Sequence, residues 1–215
     1  MRLRFNWDAT DVFLVAVNLT PIFGVLFFGW NLFDIFFVYW AESAIIGFYN
    51  ILKMIWVGVF KKEIIQLFLA VPFFVLHFGF FMFVHLVAIL AFFPPPGTAG
   101  INLGNMGPVV AQGMQIIWQT LVFMFISHGV SFVNKFVRNR QYGKVLGIRE
   151  QMGQPYIRIV LMHLFIFMAG LGVVAFGAPV LALFVLVIIK IGIDLWLHKQ
   201  EHKNIVPVLP SSIPA

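Results

Sequence analysis

The stretch His77-Phe78-Gly79-Phe80-Phe81-Met82-Phe83-Val84-His85 sets two imidazoles inside an apolar run that reaches from about Ile64 to Phe93 without one Asp, Glu, Lys or Arg. A helix needs ~20 apolar residues to cross a hydrocarbon core, so this run is long enough to span a bilayer with tilt or with its ends outside the hydrocarbon. An imidazole at membrane depth is costly unless something pairs with it, and such residues face the interior of a helix bundle. Their partners are found by laying the rest of the chain across the membrane.

The whole sequence has the composition of a membrane protein. Its 215 residues are 61% hydrophobic and 10% charged, against roughly 25% charged in a soluble globular domain. The absence of cysteine excludes disulfides and thiolate ligands, so a metal site would have to be built from imidazole, carboxylate or water. A net charge of +6 would suit nucleic acid in a soluble protein. In a multi-spanning chain the same excess is the orientation signal of the loops, and no nucleic-acid partner is expected. The apolar stretch after Arg2 and Arg4 is too long for the core of a signal peptide and lacks a small-residue cleavage site, so it is expected to stay attached.

Working outward from the opening run predicts an all-α, polytopic integral membrane protein with six transmembrane helices, over about 11–30, 33–60, 64–93, 114–136, 156–176 and 179–197. These form a single domain over 1–203, and the Pro- and Ser-rich residues 204–215 read as a disordered tail. Pro21 and Pro72 predict kinks, with Asn18 and Thr20 placed to satisfy carbonyls freed by Pro21. An uncharged, Gly-rich connector from Pro94 to about Gly113 reads as the longest loop. Arg2, Arg4, Lys53, Lys61, Lys62, Lys135, Arg138, Arg140, Lys144, Arg149, Arg158, Lys199 and Lys203 all fall on one face, which puts both termini in the cytoplasm. Lys190 is the one cation expected away from that face. Partners are therefore the lipid bilayer and anionic headgroups along the basic loops.

Counting helical rise from the outer end of each span sorts the buried polar residues into two levels. Glu42, His85 and Lys190 come out roughly 12 to 17 Å down, and His77, His128, His163 and Asp194 roughly 20 to 24 Å down. His198 lies at the cytoplasmic edge, one turn after Asp194 and on the same helical face. Three histidines and a carboxylate from four helices are the ligand set of a tetrahedral zinc ion, and iron or copper would accept it too. On this reading His77, His128, His163 and Asp194 hold a metal, Glu42 and Asp194 move a proton, and His85 and His198 are the cofactor-binding candidates. The plainer alternative is that each imidazole bonds a neighbouring carbonyl or hydroxyl, as Ser127 and Ser131 would allow for His128. Lys190 needs an acid, and Glu42 at the matching level makes a structural ion pair or, with His85, a proton path.

The motifs Tyr39-Trp40-Ala41-Glu42-Ser43-Ala44-Ile45-Ile46-Gly47, His77-Phe78-Gly79 with His85, Ser127-His128-Gly129, and Gly177-Ala178-Pro179 with Asp194 and His198 resemble a family of prokaryotic multi-spanning membrane proteins that is filed as a domain of unknown function. The resemblance covers most of the chain and implies location in a prokaryotic inner or plasma membrane, but brings no activity with it. The site is also similar to that of the intramembrane zinc hydrolases of the alkaline ceramidase and adiponectin receptor superfamily, which combine three histidines, an acid and a serine in a helical bundle. That superfamily has seven spans and paired histidines on its last helix, where this chain has six expected spans and Asp194 with His198. The expectation is an intramembrane metal-binding protein acting as a metal-dependent hydrolase, with a proton-coupled transporter or carrier using the same buried residues as the alternative. A haem carrier and a structural accessory subunit are further readings of the same residues.

Overall fold

A computed structural model of the chain describes residues 29–98, 101–102 and 104–176. All but Gly29 and Trp30 belong to one compact unit, Asn31–Pro179. The first and sixth expected spans lie outside the described residues, Gly29 and Trp30 apart, as do Lys190, Asp194 and His198.

The described chain is helical throughout: α1 (Leu32–Phe60), α2 (Ile64–Phe92), α3 (Met106–Ser131, continued by a π-helical turn over Phe132–Arg138), a short α4 (Ile148–Gly153) and α5 (Tyr156–Phe176). Four stretches, Leu32–Phe60, Ile64–Phe92, Met106–Arg138 and Ile148–Ala175, are long and apolar enough to cross a membrane. Ile65 and Phe68 on α2 and Phe123 on α3 are more than two-thirds exposed. A soluble protein could not carry so much contiguous apolar surface, and here it is the surface that meets lipid.

Local chemistry fixes the ends of these helices. Asn31 caps α1 by accepting from the Asp34 backbone N–H at 3.0 Å, while Asp34 accepts from the Asn31 N–H at 3.1 Å, a reciprocal capping box. At the other end Lys62 takes φ 60° and the Glu63 N–H bonds the Gly58 carbonyl at 2.8 Å, so the chain reverses into α2 within three residues. α2 runs through Pro72 as one helix and stops before Pro94-Pro95-Pro96.

The connector is shorter than its composition suggests, because α3 begins at Met106 rather than Met114. Asn102 Oδ1 accepts from the N–H groups of Gly104 and Asn105 at 2.9 and 3.1 Å, and the turn so formed feeds a helix whose first turn holds Pro108, a position where the missing N–H costs nothing. Gly113, read as a loop glycine, is a packing glycine. A Cβ there would lie 2.7 Å from the ring of Phe37.

α1 is the central element and packs against α2, α3, α4 and α5. A buried cluster lies at its basic end, where Met54 and Val57 meet Phe74, Phe78, Phe136, Val145, Ile148 and Ile159. The basic segment between α3 and α5 is therefore folded into the bundle. Glu63 accepts from the Ile148 N–H at 3.1 Å, and the fully buried Gln151 donates to Asn50 Oδ1 at 2.7 Å. Meanwhile Arg138, Arg140, Lys144 and Arg149 stay exposed.

Candidate functional site

Glu42 and Ser43 sit side by side on α1, and together they hold Arg158 of α5. The Arg158 Nη2 donates to Glu42 Oε2, and its Nε donates to Ser43 Oγ at 3.0 Å. Ser43 is 1% exposed and its hydroxyl in turn reaches the Tyr39 carbonyl at 2.8 Å and Met162 Sδ at 3.5 Å, so its orientation is settled from both sides. The second carboxylate oxygen, Glu42 Oε1, lies 3.6 Å from His128 Nε2 on α3. That distance allows ion-pair attraction when the imidazole is protonated but exceeds a good hydrogen bond. One acid thus meets a guanidinium and an imidazole from two other helices. The three side chains are 22% (Glu42), 32% (His128) and 35% (Arg158) exposed, so the cluster lies at the surface of the described helices and is not fully buried among them.

A second pair lies between α2 and α5. His85 Nε2 faces His163 Nδ1 at 3.1 Å. His85 is fully buried and its other nitrogen, Nδ1, has no partner among the described residues, whereas the His163 side chain is exposed and its ring packs on Phe167 with centroids 4.5 Å apart. Met162, which touches Ser43, is the neighbour of His163 in sequence, so the two polar centres share α5.

His77 stands apart from both. Its Nδ1 bonds the Tyr156 hydroxyl at 2.8 Å, and its ring stacks on Phe73 at a centroid distance of 5.1 Å. The three histidines expected at one level therefore go to three different partners: His77 to Tyr156, His128 to Glu42 and His163 to His85. Among the described residues no group of three or more His, Asp or Glu is close enough to hold a metal ion. Counting rise from helix ends assumes that the ends share a plane. Here the caps at Asn31 and the turn at Asn102 set the ends, and they need not share one.

Arg158 is the residue whose partner sequence reasoning missed. Counted with the cytoplasmic charges, it lies on α5 with its guanidinium on Glu42. The signal was available in the carboxylate itself, since an acid inside an apolar span needs a cation and Arg158 lies two residues inside segment five, on a side chain long enough to reach away from its own level. Ser43, Tyr156 and the Asn50–Gln151 contact carry no comparable signal. Beside Glu42, a groove of about 390 Å³ between α1 and α3 is lined by Trp40, Ala41, Ile45, Met114, Leu121 and Phe125, an apolar wall with nothing to bind a charged group.

Taken together, the helices and their internal ion pair define a multi-pass, all-α membrane protein in its described residues. The sequence matches the profile of a family of unknown function, DUF6498, over residues 1–207, and the chain belongs to that family. No curated protein and no solved structure matches it.

Proposed function

We propose that the protein is a proton-coupled carrier of the membrane, with Glu42 and His128 as its titrating centre and Arg158 as the fixed counter-charge. The observation that carries this reading is the partly exposed Glu42 cluster, in which an acid on α1 meets a base on α3 and a permanent cation on α5. A sealed structural ion pair would exclude water, whereas a transport site must be reached by it. Protonating Glu42 would release both the guanidinium and the imidazole, and three helices tied through one carboxylate would be freed to shift against each other. Such a coupled change of charge and packing is what a two-state carrier needs.

The same proposal includes six spans, both termini in the cytoplasm, placement in a prokaryotic inner or plasma membrane, and anionic headgroups against the exposed Arg138, Arg140, Lys144 and Arg149. The bias of Lys and Arg to one side of the described helices supports it. The test is a pH jump applied to full-length protein reconstituted on a solid-supported membrane. A transient charge displacement is expected for wild type and should be lost in Glu42→Gln. Equal currents in the two proteins, or none in wild type, would overturn the reading.

A further inference from the structure

We infer that the segment between α3 and α5 is a membrane anchor, which inserts Leu146 into the leaflet at the basic end of the bundle and holds anionic phospholipid headgroups with Arg140, Lys144 and Arg149. The inference rests on the headgroup placement proposed above and adds to it an apolar insertion. Proton coupling plays no part in it.

The first observation is how Leu146 is held. It is 86% exposed, more than any other large apolar side chain among the described residues, although Val145 and Ile148 on either side of it point into the buried cluster around Met54 and Val57. The Leu146 backbone N–H donates to Glu150 Oε2, and Glu63 in the α1–α2 turn accepts from the Ile148 N–H at 3.1 Å. A backbone tied on both sides therefore presents the leucine outward. A lone exposed leucine is ordinary on a surface that faces water. This one lies beside the turn where two apolar helices long enough to cross a membrane end, which is where hydrocarbon gives way to headgroups.

The second observation is the aromatic side chains in the same region. Tyr142 packs its ring against Phe60 and Trp56 at the end of α1, with centroids 4.6 and 6.2 Å away, and both partners are themselves exposed. Amphipathic rings gather at this depth of a bilayer, one end apolar and the other wet. The third observation is charge. Arg140, Lys144 and Arg149 are exposed, no Asp or Glu occurs between Asn139 and Arg149, and the carboxylate of Glu150 is already engaged by the Leu146 N–H. Among the described residues none of the three cations pairs with an acid.

An apolar tip among unpaired cations matches a phospholipid, with the phosphate against the cations and the acyl chains around the leucine. A free phosphate or a nucleic acid would use the cations but has nothing to offer Leu146, Trp56 or Phe60.

The experiment uses the full chain, which lacks cysteine, with Leu146→Cys or Arg140→Cys carrying an environment-sensitive fluorophore in phosphatidylcholine nanodiscs, with and without phosphatidylglycerol. The label at 146 is expected to be quenched by brominated acyl chains and shielded from aqueous iodide, and the label at 140 to behave oppositely. Phosphatidylglycerol should increase the acyl quenching at 146. Lys144→Gln and Arg149→Gln should each raise the phosphatidylglycerol fraction needed for that response by roughly fivefold. Leu146 is exposed, so its replacement leaves the core intact, and gel filtration checks every variant. Equal iodide quenching at 146 and 140 would overturn the insertion while the headgroup placement stood. A phosphatidylglycerol response that is absent, or that survives loss of both cations, would overturn the placement as well. The same response to inorganic phosphate in phosphatidylcholine discs would show that the ligand is not lipid.

Discussion

At the scale of single residues, the chemistry turns on one carboxylate shared by basic side chains from two other helices. The Arg158 guanidinium bonds Glu42 directly, while the His128 imidazole stands off at 3.6 Å. Removing the guanidinium leaves an acid among apolar helices. Arg158→Ala is therefore expected to cost about 1–3 kcal/mol, below the range for a sealed pair because both side chains are partly exposed. Adding Glu42→Gln should recover part of that loss. A double-mutant cycle on thermal unfolding in detergent checks it, and strictly additive effects would show that the two side chains are not coupled. Glu42 could be singled out from sequence because a carboxylate in an apolar run stands out. Its need for a cation was legible too, but Arg158 was not named as that cation, because an arginine near a predicted span end reads as a loop charge whichever way its side chain turns.

At the scale of elements, the seams between helices are built from glycine against aromatic rings. A Cβ on Gly47 would lie 2.6 Å from Phe78, one on Gly113 2.7 Å from Phe37, and one on Gly170 2.6 Å from Phe92. Each contact joins a different pair of helices, and each lets an aromatic ring lie directly on the opposing backbone. Without a hydrophobic drive between helices in lipid, close van der Waals packing of this kind supplies much of the association. Gly79 is the internal control, since a Cβ there meets nothing within 4 Å. Gly47→Ala and Gly113→Ala should each destabilise by about 1–3 kcal/mol through overpacking, while Gly79→Ala should be neutral or slightly stabilising through helix propensity. Unfolding midpoints in one detergent compare them directly. Equal shifts at all three sites would mean that the ring contacts are not what holds the seams.

At the scale of the whole molecule, the positive charges define a side and the helices define a direction. Lys62 in the α1–α2 turn and Arg140 after α3 lie on one side of the described helices, and Gly97 beyond α2 on the other. The chain contains no cysteine, so single cysteines at these three positions can be labelled in intact cells without further engineering. Positions 62 and 140 should react alike with an impermeant reagent, and 97 oppositely; matching reactivity at 97 and 140 would rule out the topology. By itself the sequence determined the helical class and the membrane setting, because apolar run length and total charge follow from composition and are nearly independent of packing. It also singled out Glu42, His77, His85, His128 and His163 as the polar groups set among apolar runs. Which groups meet was decided only by the tertiary structure. Glu42 finds Arg158 and His128, His85 finds His163, and His77 finds Tyr156, because pairing depends on helix rotation, on where caps end each helix, and on side-chain reach. Rise per residue, the one coordinate readable along a chain, carries none of these.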